Sequence, residues 1–192
     1  LAAGNSGIIK PASDTPLSAL KLTEVMIDAG FPPESLQCIT GSGGIIGDAI
    51  VSHPGIRKVT FTGSQEVGEN ICKTAGLKKV TMELGSNSPL IVLPDADLQK
   101  VAEATTQSGF SNAGQVCIST QRVIVDQSVY SDYLDILVPV VESLKIGNPL
   151  EDPVKLGPMV RESDAERVSD WIGEAVSDGA RLLTGGERDG SI

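Results

Sequence analysis

Histidine is almost missing from this chain, with one residue, His53, in 192. A Ser-His-Asp or Cys-His site within the segment would have to use it. It stands in Val51-Ser52-His53-Pro54, a surface-loop pattern that favours structural indifference. Cysteine is also scarce. Cys38, Cys72 and Cys117 form no CxxC pair, too little for a disulfide framework or a metal cage. The expectations are therefore no metal, and a reducing cytoplasm as the compartment. Basic residues are few, with 15 Lys and Arg against 25 Asp and Glu and a net charge of −10. That balance opposes binding to nucleic acid, which needs clustered cations to displace counterions, and docking on anionic membranes. No apolar run approaches the roughly 18 residues of a membrane span. No basic stretch precedes an apolar one at the N-terminus, so no signal peptide is expected. The first residue is Leu1, not Met, and the chain is read as an internal fragment of a longer protein.

Aromatics make up 3% of the chain, whereas glycine is plentiful at 21 residues and hydrophobic residues reach 40%. Such a mix suits buried parallel strands joined by glycine turns. Strand-like runs at 7–10, 36–40, 58–62 and 79–84 alternate with helical patterns at 15–29, 48–52 and 64–75. A glycine-rich turn is expected at 41–47. This β-α-β-α-β order is the mark of a parallel sheet with crossover helices, and in outline of a dinucleotide-binding domain. The polar cluster Gly85-Ser86-Asn87-Ser88-Pro89 then breaks the pattern. Beyond it lie an apolar run at 90–93, helices near 98–110, 129–144 and 161–178, a strand at 122–125, and a proline-rich loop at 147–158. The fold class is α/β: a Rossmann-like parallel sheet in 1–84, then part of an α/β catalytic domain in 85–192.

Several residues could carry chemistry. Gly41-Ser42-Gly43-Gly44-Ile45-Ile46-Gly47 resembles a GxGxxG turn with a longer second gap, and Phe61-Thr62-Gly63-Ser64 leads straight into a helix. Each could be a tight turn only. Two in consecutive βα units favour a phosphate-bearing dinucleotide, because free backbone N–H groups and the helix dipole attract anions. Lys10 ends a strand and could reach a ribose or phosphate oxygen, or simply be solvated there. Glu83 closes the apolar strand Val80-Thr81-Met82-Glu83-Leu84. Ligands gather at the carboxyl ends of parallel strands, and burial there would lift a carboxylate into the range of a useful base. The alternative is a glutamate facing water. Cys117 lies in Ser111-Asn112-Ala113-Gly114-Gln115-Val116-Cys117, a small polar stretch that would present a thiol on a turn. Cys38 and Cys72 fall within apolar patterns and read as buried structural cysteines.

Taken in order, these motifs resemble the aldehyde dehydrogenase superfamily along essentially the whole chain. The matching stretches are Leu1-Ala2-Ala3-Gly4-Asn5, Lys10-Pro11-Ala12, Phe61-Thr62-Gly63-Ser64, Met82-Glu83-Leu84-Gly85 and Gly114-Gln115-Val116-Cys117. The spacing from Glu83 to Cys117 also fits. The resemblance implies that Cys117 attacks an aldehyde, that NAD or NADP accepts the hydride, and that Glu83 activates the water that hydrolyses the thioester. It implies Lys10 at the adenosine ribose, Gly43 and Gly47 flanking the adenine, and Gly63, Ser64 and Val67 beside the cofactor. Thr62 would pack near the nicotinamide, the backbone of Leu84 would touch its amide, and Phe110 would line the substrate tunnel. A homo-oligomer is implied for the full-length protein.

The departures from the family pattern bear on specificity. Where many members carry Glu three residues after the lysine, this chain has Ser13. A carboxylate repels a 2′-phosphate and a serine does not, which favours NADP, although Asp14 adjoins it. Ser86 and Asn87, with Cys117-Ile118-Ser119-Thr120-Gln121-Arg122, are similar to members acting on small polar aldehydes such as lactaldehyde, glyceraldehyde 3-phosphate and phosphonoacetaldehyde. Arg122 could hold an anionic substrate group or serve as a structural ion-pair partner. The other readings are a CoA-acylating relative, which often lacks the carboxylate at Glu83, and a non-catalytic homologue.

Overall fold

The structure is a computed structural model that describes residues 1–151 and 153–190. The chain divides into two compact units, Leu1–Gly85 and a second that begins at Ser86.

The first unit contains β1 (Gly7–Ile9), α1 (Leu17–Asp28), β2 (Leu36–Cys38), α2 (Asp48–Ser52), β3 (Lys58–Thr62), α3 (Gln65–Ala75) and β4 (Lys79–Glu83). Strands β1 and β2 run parallel, with Ile9 opposite Cys38. Strands β3 and β4 also run parallel, with Thr62 opposite Glu83. Among the described residues these are two separate pairs, not the single run of neighbours that the alternating pattern suggests. Alternation requires a crossover helix between parallel strands but does not dictate which strands become neighbours.

One core holds the β3–α3–β4 unit. Val51, Val59, Ile71 and Ala75 are buried together, with Ile56, Phe61, Val80 and Met82 packed against them. The pattern follows from period. Val59 and Phe61 share one face of β3, Val80 and Met82 one face of β4, and Gly68, Ile71 and Ala75 one stripe of α3. Cys72 sits one position off that stripe and is exposed, which corrects the expectation of a buried cysteine; Cys38 is half-buried. Helix α3 begins at Ser64, whose hydroxyl accepts the Val67 amide at 3.4 Å, and ends at Gly76 with φ 61°.

The stretch expected as a glycine turn at 41–47 is helical over most of its length. Gly43–Gly47 winds as a wide π-type turn directly into α2, and the Ile46 amide donates to the Ser42 carbonyl at 2.9 Å. Three glycines with nothing within 4 Å of where a Cβ would stand leave the backbone free to take this wider winding.

The second unit contains β5 (Pro89–Val92), α4 (Leu98–Phe110), β6 (Arg122–Val125), α5 (Tyr130–Glu142) and α6 (Glu162–Ser177). Strands β5 and β6 pair in parallel, with α4 in the connection between them. Helix α4 starts on Asp97, whose carboxylate accepts the Lys100 amide at 3.2 Å. The proline-rich loop carries one small parallel bridge, Ile146 to Leu156. Helices α4 and α5 meet at Tyr133, which is 1% exposed and donates its hydroxyl to Thr105 Oγ1 at 2.8 Å. Burial raises the Tyr133 phenol above its ordinary pKa, so the hydroxyl stays a donor.

Next to Thr105, the buried Thr106 Oγ1 has no hydrogen-bond partner among the described residues. The two threonines predict opposite outcomes. Tyr133→Phe leaves Thr105 Oγ1 unpaired and should cost about 1–2 kcal/mol. Thr106→Val removes an unpaired hydroxyl at nearly constant shape and should be neutral or stabilise by up to about 1 kcal/mol. Urea unfolding of the intact protein containing this chain measures both.

Candidate functional site

In each parallel pair of the first unit, the carboxyl ends of two strands lie side by side, and the loops that leave them carry the residues singled out above. Lys10 follows β1 directly and is half-buried, its Nζ donating to the Pro11 carbonyl at 2.7 Å. Ser13 Oγ donates to the Gly41 carbonyl at 3.3 Å, which ties the loop after β1 to the loop after β2. Gly43, on the wide turn, is exposed, and Gly47 is partly covered; neither has a neighbour where a Cβ would stand.

At the second pair, the Gly63 amide donates to the Glu83 carbonyl at 3.1 Å and extends the ladder by one step. Thr62, Gly63, Ser64 and Val67 are exposed around the start of α3. Gly63 is required by packing: its φ is unremarkable, but a Cβ there would collide with the Phe61 ring, which is wedged on the core. Gly68 allows α3 to lie against Leu84, whose Cδ2 would be 2.7 Å from an added Cβ. The exposed first turn of α3 presents backbone N–H groups and the positive end of its dipole. Exposed polar loops at strand carboxyl ends and a close glycine at a helix start make a surface that fits a dinucleotide. Glu83 ends β4 with its side chain exposed, so of the two environments open to it the water-facing one is found.

The Cys117 loop belongs to the second unit and is built differently. Helix α4 stops at Phe110, and the chain reverses through Asn112, Ala113 and Gly114 with φ of 51°, 54° and 72°. Three successive left-handed residues make a tight reversal that ordinary side chains resist. A second turn follows, closed by the Ser119 amide donating to the Val116 carbonyl at 2.9 Å, and it presents Cys117 to solvent.

Two residues that the sequence did not single out hold this loop. Gln115 donates from Nε2 to the Asn112 carbonyl at 3.0 Å, while its Oε1 accepts the Val160 amide at 3.1 Å. Ser119, 3% exposed, reaches the Ser108 and Gly109 carbonyls at 3.1 and 3.0 Å. Gln115 stood inside a recognised motif, but no spacing rule links it to Val160, 45 residues away. Phe110 and Arg122 bracket the loop in the chain, one closing α4 and the other opening β6, both partly or fully exposed.

His53, read from the sequence as structurally indifferent, follows α2, and its Nδ1 accepts the Gly55 amide at 3.0 Å. Among the described residues no group of three His, Cys, Asp or Glu could hold a metal, and no helix is long and apolar enough to cross a membrane.

The left-handed reversal yields a test. Ala113→Val forces a β-branched side chain to a φ of 54° and should lower stability by about 1–2 kcal/mol. Ala113→Gly should cause no loss, because the freedom gained at positive φ offsets the entropy of the unfolded glycine. Thermal unfolding of the two variants beside the wild type checks this.

Known proteins share this sequence pattern and fold. Residues 1–191 match the model of the aldehyde dehydrogenase family. The chain is 49% identical over its full length to 3-sulfolactaldehyde dehydrogenase of Priestia aryabhattai, covering 40% of that protein. It is 41% identical over its full length to lactaldehyde dehydrogenase of Methanococcus aeolicus, covering 42% of it. Among solved structures, glyceraldehyde-3-phosphate dehydrogenase GapN of Methanocaldococcus jannaschii complexed with NADP superposes with a TM-score of 0.96 at 37% identity, over all of this chain and 43% of that one. The chain thus spans about two fifths of the length of the relatives it matches. On a family model that matches nearly every residue, the chain belongs to the aldehyde dehydrogenase family.

Proposed function

We propose that this chain supplies the nucleophile, the water-activating carboxylate and the cofactor loops of an NAD(P)-dependent aldehyde dehydrogenase. The observation that carries the reading is the exposed Cys117 on a turn anchored from both sides, in a chain whose relatives are named for aldehyde oxidation. Residues 1–84 act as part of the cofactor-binding domain and 85–192 as the start of the thiol-bearing domain.

Cys117 gives up its thiol proton to solvent as its sulfur attacks the aldehyde carbon, and the resulting oxyanion and C–S bond define a thiohemiacetal; the proton later taken up by Glu83 returns to the sulfur when it departs. When bound, the nicotinamide supplies the acceptor for the hydride that leaves this carbon. The product is a thioester on Cys117. Glu83 takes a proton from water as that water attacks the thioester carbon, and the C–S bond breaks to release the acid and the thiol. Lys10 and Ser13 hold the adenosine ribose, and Gly43 and Gly47 lie beside the adenine. Gly63, Ser64 and Val67 meet the pyrophosphate at the start of α3, with Thr62 and the Leu84 backbone near the nicotinamide.

The substrate is a small hydroxyaldehyde, in keeping with relatives named for sulfolactaldehyde and lactaldehyde. Where the hydroxyaldehyde bears an anionic group, as sulfolactaldehyde does, Arg122 holds it, and Phe110 lines the substrate's path. NADP is accepted, because Ser13 puts a neutral hydroxyl where a carboxylate would repel the 2′-phosphate. The free thiols of Cys38, Cys72 and Cys117 suit the reducing cytoplasm.

Stopped-flow absorbance at 340 nm on the intact protein tests the roles separately. Cys117→Ala should lower turnover by roughly 10³-fold or more. Glu83→Gln should keep a first burst equal to the enzyme present and slow the steady state by roughly 10²–10⁴-fold. Turnover that survives in Cys117→Ala overturns the mechanism, and a steady state restored only by CoA points to an acylating enzyme. For the cofactor, Ser13→Glu should raise the KM for NADP by roughly tenfold or more and leave that for NAD within a few-fold. An equal effect on both would remove Ser13 from the ribose site.

A further inference from the structure

A helix leaves its last four carbonyls without amide partners, and these must be met by other donors when covered. At the end of α4 no lysine, arginine or histidine lies in the last turn to do so. The donor is instead the hydroxyl of Ser119, two residues after Cys117, which lies within 3.1 Å of the Ser108 carbonyl and 3.0 Å of the Gly109 carbonyl. It is 3% exposed, so water cannot readily replace it. The same two helical residues are gripped again. Ser108 Oγ lies 2.7 Å from Thr120 Oγ1, and a Cβ at Gly109 would stand 3.3 Å from the Thr120 carbonyl. A Cβ added at Gly114, which has φ 72°, would stand 3.4 Å from the Gly109 carbonyl and 4.0 Å from Ser119 Oγ.

We infer that Ser119 is a positioning residue for the Cys117 nucleophile: its buried hydroxyl pins the far leg of the Cys117 turn to the carbonyl end of α4. The inference rests on the role proposed for Cys117. The near leg is fixed by Gln115 through Asn112 and Val160. Cys117 itself makes no such anchor; it is exposed at the crown of a short turn whose closing amide belongs to Ser119. Any drift of Ser119 therefore moves Cys117 directly. Misplacing a reacting atom by about 1 Å can cost on the order of 10²-fold in rate, whereas binding of the aldehyde elsewhere is untouched. The α4 end is a sound anchor because α4 is itself locked to α5 by the buried Tyr133–Thr105 bond.

The test uses the intact protein with Ser119→Ala, Ser119→Thr and Cys117→Ala. Alanine removes the donor without adding bulk, and threonine restores the hydroxyl. Ser119→Ala should slow the first-turnover burst at saturating aldehyde by roughly tenfold or more, with KM changed less than about threefold. Alkylation of Cys117 by iodoacetamide, mapped by peptide mass against Cys38 and Cys72, should change severalfold while the other two keep their wild-type rates. Ser119→Thr should recover at least half of both losses. A Ser119→Ala protein with wild-type burst and wild-type Cys117 alkylation overturns the inference. So does one in which all three cysteines change together and threonine rescues nothing, since that is general destabilisation. Persistent turnover in Cys117→Ala is a different result: it removes the nucleophile assignment itself.

Discussion

Parallel strands cannot be joined by a hairpin, and that constraint shapes everything else in this molecule. Each parallel pair needs a long crossover, so both carboxyl ends open on one side, together with the start of any helix that follows a strand directly. At β3 and β4 this places Thr62, Gly63 and the start of α3 beside Glu83. At β1 and β2 it brings the Lys10–Ser13 loop next to the Gly41 loop, close enough for Ser13 to bond the Gly41 carbonyl. Glycine appears where this convergence is tightest. Gly63 makes room for the Phe61 ring and Gly68 for Leu84, so the helix can start close to the strand ends. The placement of these residues is thus a consequence of the topology, with the exposed polar residues of the motifs set on that rim.

The Cys117 loop obeys another logic. It is an irregular segment between a helix and a strand, and nothing periodic holds it. Its shape comes from hydrogen bonds: Gln115 on one leg, Ser119 on the other, and a left-handed reversal through Asn112, Ala113 and Gly114. Strain in that reversal is tolerable because the bonds around it over-determine its course. A thiol on such a loop can be exposed and still have a defined place. That exposure suits the nucleophilic role proposed for Cys117, and the buried Ser119 is the anchor proposed to hold it.

Periodicity made most of the framework legible. Helices α3 and α4 and strands β3 and β6 lie within a residue of where the sequence pattern puts them. Two features escaped for physical reasons. The wide helical turn at Gly43–Gly47 was hidden because glycine permits turn and helix alike. Cys72 looked buried because its neighbours are apolar, yet a single step along a helix rotates a side chain by about 100°, out of the Ile71 stripe. The ordered motifs made the family legible and drew attention to Glu83 and Cys117. The long-range anchors of the loop could not be read, since the bonds from Ser119 to Gly109 and from Gln115 to Val160 join residues 10 and 45 positions apart and depend on the fold already being formed.

The central claim is that Cys117 carries the substrate during turnover. The most direct measurement is acid-quenched mass spectrometry of the intact Glu83→Gln protein after mixing with NADP and a small hydroxyaldehyde, followed by tryptic mapping. The expected product is an acyl adduct of the substrate acid minus water on the peptide spanning 101–122, in which Cys117 is the only cysteine. An adduct on the peptides carrying Cys38 or Cys72, or NADPH formed with no adduct on any cysteine, would contradict the claim.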